Sequence, residues 1–173
     1  MTGKLLRAGA LALALLSAPA WAALDVPPAY RQVAREYDVP ASLLFAVALV
    51  ESGRLVQGGR ILPWPWTINA GGRGHYFRSR RAAEARLRRL LADGVQPDVG
   101  LMQLNWKYHR DELGSAAQAF DPWLNLRAGA LALRRAYERT GDWWKAVGRY
   151  HSANPALAER YRRRVARWHR RIG

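Results

Sequence analysis

The most restrictive feature of this sequence is the stretch of residues 43–50, which contains no polar side chain. Proline precedes this stretch at position 40 and glycine follows it at position 53. The pattern predicts one helix over 40–53, with Asp38 as its N-cap and Gly53 as a left-handed residue at its C-terminal end. A helix that is apolar on nearly every face has to be surrounded by other elements. The rest of the chain is therefore expected to fold around it.

Helical periodicity dominates the rest of the chain. Residues 58–77 differ, because Pro, Trp and Gly alternate there with β-forming residues, and this texture predicts a short β-hairpin. No repeat or flexible linker divides the chain, so we expect one domain that is mainly α-helical. Further helices are predicted at 30–37, at 79–92 with a basic amphipathic pattern, from near Gly100, and at 124–137, 142–152 and 155–170.

The N-terminal segment has the pattern of an export signal. Lys4 and Arg7 precede an uncharged apolar run, and the run leads into the small-residue pattern Ala-Trp-Ala. A serine and a proline interrupt the run, which is shorter than the roughly 20 apolar residues of a spanning helix. We predict a signal peptide over residues 1–22, cleaved after Ala22, and a single domain over 23–173 that works in the periplasm.

The residue inventory excludes several kinds of chemistry. The chain contains no cysteine and four scattered histidines, which removes cysteine nucleophiles, redox dithiols and thiolate zinc sites. We therefore expect neither a metal nor a cofactor. With 50% hydrophobic and 24% charged residues, the composition also excludes a disordered chain.

Glu51 is the first candidate for a chemical role. It ends the apolar helix on the same stripe as Leu44 and Val47. Burial disfavours an ionised carboxylate, so a glutamate with one apolar flank keeps its proton to higher pH, as a general acid for glycosidic cleavage requires. The alternative is a glutamate at a helix end that turns to water, and spacing alone does not decide between the two.

Two further segments follow the Glu51-Ser52 pair in a specific order. They are Gly-Leu-Met-Gln at 100–103, continued by Leu104 and Asn105, and a segment carrying Tyr150. In this order the segments resemble those of the lytic transglycosylase family, which has a lysozyme-like catalytic domain, and the resemblance covers about residues 29–155. The chain resembles in particular the small exported members that accompany conjugation, type IV pilus and secretion machines. The resemblance implies a lysozyme-like α domain with a small β-hairpin insertion.

The resemblance also implies a reaction. Such enzymes cleave the β-1,4 bond between N-acetylmuramic acid and N-acetylglucosamine in peptidoglycan and close a 1,6-anhydro ring, with help from the substrate's acetamido group instead of a second carboxylate. Glu51 would be the general acid and then the base. The implied partners are glycan strands and components of an envelope machine for which the wall is opened locally, and the default oligomeric state is a monomer. The implied substrate-binding residues are Ser52, Met102, Gln103, Asn105 and Tyr150.

Two features depart from the family pattern. His151 stands where an asparagine commonly follows the tyrosine, and we expect it to pack between helices. The link over 54–99 is longer than usual and carries the Trp-rich hairpin, which is a candidate wall of the glycan cleft. Aromatic rings stack on sugar faces, so Trp64, Trp66 and Tyr76 are candidate glycan contacts. The alternative is a hairpin whose tryptophans pack on the core.

Asp98 is a possible second carboxylate, two residues before Gly100. A carboxylate able to activate water would make the enzyme a hydrolytic muramidase instead of a transglycosylase. The favoured alternative is that Asp98 caps the helix predicted to start near Gly100, because Asp is a preferred N-cap residue.

Positive charge is the last notable feature. The formal net charge is +15, and seven of the twelve residues 160–171 are arginine. Leu157, Tyr161, Val165 and Trp168 recur at helical spacing, so the C-terminal helix, about 155–171, should pack one face and expose a cationic one. Nonspecific attraction to anionic surfaces follows. A second interpretation is a secreted basic protein that binds glycan or nucleic acid on an inactive lysozyme-like scaffold.

Overall fold

The computed structural model describes residues 24–173, and the predicted signal peptide over 1–22 lies outside the described residues. Seven α-helices and six short strands form this part of the chain, which confirms the mainly α, lysozyme-like fold with a small β element. The helices are α1 Pro28–Glu36, α2 Ala41–Ser52, α3 Arg80–Ala92, α4 Trp106–Leu113, α5 Pro122–Thr140, α6 Trp143–His151 and α7 Pro155–His169, with a 3-10 turn at Gln118–Phe120. The strands are β1 Gly53–Leu55, β2 Ile61–Pro63, β3 Thr67–Ala70, β4 Arg73–Tyr76, β5 Asp98–Val99 and β6 Leu104–Asn105.

Helix α2 is the centre of the fold, as the apolar stretch predicted. Every residue from 43 to 49 is buried, and the helix packs against α1, α7, β1 and β2. The predicted N-cap at Asp38 is wrong, because the helix begins at Ala41 after Pro40 and has no side-chain cap. Proline disfavours helical backbone in the residue before it, so the helix cannot extend back towards Asp38. Asp38 instead forms an ion pair with Arg134, 2.5 Å away.

Gly53 ends α2 differently from the prediction. Its backbone is extended, with φ −56° and ψ 123°, and it begins strand β1 without adopting a left-handed conformation. A β-carbon at this position would lie 2.3 Å from the carbonyl oxygen of Leu49. Glycine is therefore needed here because the chain turns back closely over the end of the helix.

Residues 53–76 form two hairpins where one was predicted over 58–77. Strand β1 pairs with β2, and β3 pairs with β4, both antiparallel. Strand β3 also pairs with β5, and β5 with β6, which makes a four-stranded sheet in the order β4-β3-β5-β6. Ile68 of β3 is fully buried and joins this sheet to the helical core.

The helix predicted to start near Gly100 begins later. Residues 100–103 form a turn between β5 and β6, with positive φ at Gly100 (80°) and Gln103 (45°), and α4 begins only at Trp106. The N-cap of α4 is Asn105, whose side chain accepts a hydrogen bond from the Lys107 N–H. Asp98 therefore caps no helix, and that prediction is wrong.

The other helices agree with the predictions. The side chains of Ser79, Asp121, Asp142 and Asn154 cap α3, α5, α6 and α7. Helix α7 buries Tyr161 and Val165, as its periodicity predicted. Leu157, expected on the same packing face, is 43% exposed. At this first turn of α7 it is Ala158 that faces Gly148 of α6. Within residues 24–173, no helix is both long enough and apolar enough to cross a membrane.

Asn125 of α5 holds the 100–103 turn in place. Its side chain is 1% exposed and accepts a hydrogen bond from the Met102 N–H at 2.8 Å. The same side chain donates to the carbonyl oxygens of Val99 and Ala119, both at 3.1 Å. One side-chain amide thus provides the hydrogen-bond partner of three buried backbone groups. Each of these groups would be costly to leave unpaired.

We expect Asn125→Ala to lower the free energy of unfolding by about 2–4 kcal/mol, because it leaves buried backbone groups unpaired. Urea unfolding followed by circular dichroism measures this change. Gln32→Ala on the exposed face of α1 is the control and should change stability by less than about 0.5 kcal/mol. Equal stability of the two variants would contradict the role assigned to Asn125.

Candidate active site

A cleft of about 730 Å³ is lined by both the helices and the four-stranded sheet. The C-terminal turn of α2 supplies Glu51, and the sheet supplies Thr67, Asn69, Tyr76 and Asp98. Helices α4 to α7 complete the lining. The groups expected to do chemistry thus meet where the helical core contacts the sheet.

Glu51 has the environment of a general acid. Burial raises the pKa of its carboxyl from 4.5 to about 7, even though the hydrogen bond from Tyr161 and the charge of Arg164 lower it. The Tyr161 hydroxyl donates to Glu51 Oε1 at 2.5 Å. The alternative of a glutamate turned to water does not fit this environment. Near neutral pH the carboxyl is therefore divided between its two protonation states.

Tyr161 is the partner of Glu51 that sequence reasoning missed. It lies on α7, is 1% exposed, and its ring stacks on the His151 ring with centroids 4.4 Å apart. Burial and the negative charge of Glu51 raise the pKa of its hydroxyl well above 10, so it remains a donor. The periodicity of the C-terminal helix placed Tyr161 on the packing face, and nothing in the local sequence indicated its contact with Glu51.

Two of the predicted substrate contacts have structural roles. The Ser52 side chain is fully buried, and its hydroxyl donates to the carbonyl oxygen of Leu101 at 2.7 Å. The Met102 side chain is also fully buried and lies against Gly129 of α5. Ser52 and Met102 thus join the end of α2 to the 100–103 turn, and the prediction that their side chains contact substrate is wrong.

Tyr150 supports the same turn from α6. Its hydroxyl donates to the Met102 carbonyl oxygen at 2.6 Å, and the residue also lines the cleft. Gln103 lines the cleft as predicted, and its side-chain amide donates to the carbonyl oxygens of Gly100 at 2.8 Å and Thr67 at 3.2 Å. The turn is therefore held by α2, α5, α6 and β3, and Tyr150 and Gln103 also line the cleft.

Asp98 lies in the cleft, held by two amides. Its Oδ1 accepts a hydrogen bond from Asn105 at 2.8 Å, and its Oδ2 accepts one from Asn69 at 3.5 Å. Burial raises the pKa of the Asp98 carboxyl, whereas the Asn105 hydrogen bond and the charge of His151 lower it. Asp98 is close enough to Glu51 for its charge to raise the Glu51 pKa. Asn105, a predicted substrate contact, lines the cleft beside it.

His151 of α6 packs between helices as predicted, because its ring stacks flat on Tyr161 of α7. The residue is also exposed and lines the cleft, which was not predicted. Burial of part of the ring and the charge of Arg164 lower the pKa of His151, and the charge of Asp98 raises it. At neutral pH the ring therefore favours its uncharged form.

The aromatic candidates of the hairpin region separate into two groups. Tyr76 is 43% exposed, lines the cleft, and donates from its hydroxyl to the Gly53 carbonyl oxygen at 3.3 Å. Trp64 and Trp66 contact each other edge to face at 5.4 Å and do not belong to the cleft lining. Trp66 packs against the core, and the Trp64 indole donates to the Phe77 carbonyl oxygen. Tyr76 is a candidate glycan contact, whereas the tryptophans fit the packing alternative.

Several cleft residues were not predicted. Asn69 and Thr67 come from β3, and Tyr108 and His109 from α4. On α5 the cleft-lining positions are 132, 135, 136 and 139, which is the spacing of one helix face. That spacing is a signal available in the sequence, but arginines at such a spacing are also typical of a solvated helix face. Within residues 24–173, no group of three or more histidine, aspartate or glutamate side chains could hold a metal ion.

Comparison with known proteins adds the family. The model of the family described as Transglycosylase SLT domain matches residues 69–169, which is more than half of the chain. The chain therefore belongs to this family of lytic transglycosylases, whose substrate is peptidoglycan. The match contains the 100–103 turn, Tyr150 and Tyr161, whereas Glu51 precedes it. No curated protein and no solved structure matches the chain.

The raised pKa of Glu51 has a consequence for stability. Between pH 4.5 and about 7 the folded chain holds a proton on Glu51 that the unfolded chain has lost, so stability falls as the pH rises through this range. We expect Glu51→Gln to be more stable than the native chain above pH 7, by about 1–3 kcal/mol, and to lose this advantage below pH 4.5.

Urea unfolding at pH 4 and pH 8 measures this difference. Glu138→Gln, at an exposed ion pair on α5, is the matched control and should change stability by at most about 0.5 kcal/mol. A Glu51→Gln variant that gains no stability at pH 8 would show that the carboxyl is not held in an unfavourable environment.

Proposed function

We propose that this protein cleaves the β-1,4 bond between N-acetylmuramic acid and N-acetylglucosamine, with Glu51 as the general acid and then the base, and leaves 1,6-anhydro-N-acetylmuramic acid ends. The observation that carries the proposal is the Glu51 carboxyl, which lines the cleft with a pKa of about 7. An acid with this pKa can both release and recover a proton near neutral pH.

In the first step the protonated Glu51 donates its proton to the glycosidic oxygen as the bond to the anomeric carbon breaks. The acetamido oxygen of the same N-acetylmuramic acid residue forms a bond to that carbon, and the neighbouring sugar leaves as an alcohol that carries the proton. Glu51 is then a carboxylate, and the hydrogen bond from Tyr161 stabilises this form because it lowers the Glu51 pKa.

In the second step the Glu51 carboxylate takes the proton of the C6 hydroxyl as that oxygen attacks the anomeric carbon. The 1,6-anhydro bond forms, the acetamido oxygen is released, and Glu51 regains its proton. No water is consumed and no second carboxylate is needed. Gln103, Asn105, Tyr150 and Tyr76 line the cleft around Glu51 and are the proposed glycan contacts.

A second candidate reaction is hydrolysis. Asp98 shares the cleft with Glu51, and the side-chain amides of Asn69 and Asn105 hold its carboxylate in place. A carboxylate held in this way could activate a water, and the products would then carry reducing ends.

We further propose that residues 1–22 export the chain to the periplasm, where it opens the wall locally for a conjugation, pilus or secretion machine. The basic, apolar and small-residue segments of the N-terminus and the likeness to small exported transglycosylases support this proposal. The intact mass of the protein recovered from a periplasmic extract tests cleavage after Ala22, and a mass that retains the N-terminal segment would contradict it.

Mass spectrometry of the products released from purified peptidoglycan tests the reaction. We expect muropeptides one water lighter than the reducing forms, and loss of nearly all release with Glu51→Gln but not with the control Glu138→Gln. Because Glu51 has to be protonated for the first step, activity should fall as the pH rises above about 7.

The other outcomes are equally specific. Reducing ends that disappear with Asp98→Asn would establish the hydrolytic reaction instead. No products from the native chain at any pH would favour a binding protein on an inactive lysozyme-like scaffold, and full activity of Glu51→Gln would remove Glu51 from the mechanism.

A further inference from the structure

One wall of the cleft is formed by α5 and α6 and is rich in arginine. Helix α5 contributes Arg135 and Arg139 to it, and α6 contributes Arg149. Ala132 and Ala136 lie on the same face of α5. Because these two side chains are small, the guanidinium groups are the largest features of this face.

The three arginines differ in their ion pairing. Arg135 forms an ion pair with Glu112 of α4, so a carboxylate of the chain itself already balances its charge. Arg139 and Arg149 have no carboxylate within 4.0 Å among residues 24–173, and both are exposed. Two uncompensated positive charges therefore border the cleft.

The environment of Glu51 does not account for these charges. The arginine that acts there is Arg164 of α7, whose charge lowers the pKa of Glu51 and whose guanidinium donates to the Val50 carbonyl oxygen at 3.3 Å. Arg139 and Arg149 do not contribute to the pKa of Glu51 or of Asp98. They are thus available to a substrate without taking part in proton transfer.

The charge of peptidoglycan lies in its peptides. In a glycan strand the lactyl carboxyl of each substituted muramic acid is consumed in the amide bond to the stem peptide, so the negative groups are the free carboxylates of that peptide. A guanidinium binds a carboxylate through two parallel hydrogen bonds. We infer that Arg139 and Arg149 form a subsite for stem-peptide carboxylates, so that the preferred substrate is glycan that carries stem peptides. This inference rests on the proposed function.

The test compares two forms of one substrate: soluble glycan strands with their stem peptides, and the same strands after an amidase has removed the peptides and the lactyl carboxyls freed by that cleavage have been converted to uncharged amides. We expect the native chain to have a kcat/KM about tenfold higher on the peptide-bearing strands, mainly through a lower KM. The double variant Arg139→Gln/Arg149→Gln should reduce this preference to within about twofold. High salt should weaken the native preference in the same direction, because exposed charge pairs are screened.

A charge-matched control separates the subsite from net charge. Arg86→Gln/Arg89→Gln removes two exposed arginines of α3 that do not line the cleft, and it should keep the native preference. Equal kcat/KM of the native chain on both substrates, an undiminished preference in the Arg139/Arg149 variant, or an equal loss in the control would each overturn the inference.

A binding measurement distinguishes failure of the subsite from failure of the proposed reaction. In the Glu51→Gln background, fluorescence anisotropy of labelled strands should show tighter binding of the peptide-bearing form, and the Arg139/Arg149 substitutions should remove the difference. If the native chain cleaves neither substrate and this difference persists, the proposed function fails and the subsite stands. If both substrates are cleaved and no difference in binding exists, the subsite fails and the proposed function stands.

Discussion

The burial of residues 43–49 of α2 is the constraint on which the rest of the structure depends. Residues 43–49 have no polar side chain to present to water, so α1, α7 and the first hairpin have to cover the helix on all sides. The same covering encloses the last turn of α2, where Glu51 and Ser52 lie. The end of a buried helix is thereby turned into the wall of a cleft, and the environment of Glu51 follows from the packing of its neighbours.

Burial of the Glu51 carboxyl lowers the stability of the folded chain at neutral pH, but it favours the protonated form that the proposed reaction needs. Burial favours the neutral form of this carboxyl and raises its pKa to about 7. The folded chain therefore loses stability when the carboxyl ionises. Tyr161 limits this loss through its hydrogen bond without abolishing it. An exposed glutamate would ionise without this loss of folding stability, but it would hold no proton to donate at neutral pH. The packing of α7 against α2 therefore affects the pKa of Glu51 as well as filling the core.

Sequence patterns predicted the parts of the fold that depend on local signals. The burial of residues 43–49 in α2, the mainly α fold and the positions of α3, α5, α6 and α7 all follow from periodicity. The turn at 100–103 was mistaken for a helix start, because its shape depends on Asn125, which lies more than twenty residues away in the sequence. The roles of Ser52, Met102 and Tyr161 were missed for the same reason, since each makes a contact across the fold that no local pattern encodes.

The charged groups of the cleft lining differ in their effect on Glu51. Near Glu51 the carboxylate of Asp98 and the guanidinium of Arg164 act on the Glu51 pKa in opposite directions, so the proton affinity of the acid is balanced by groups from β5 and α7. Arg139 and Arg149 stand on α5 and α6 and do not shift that pKa. On the inference made above, Arg139 and Arg149 can therefore hold an anionic substrate without lowering the Glu51 pKa, whereas a further cationic group beside Glu51 would lower it by favouring the ionised form.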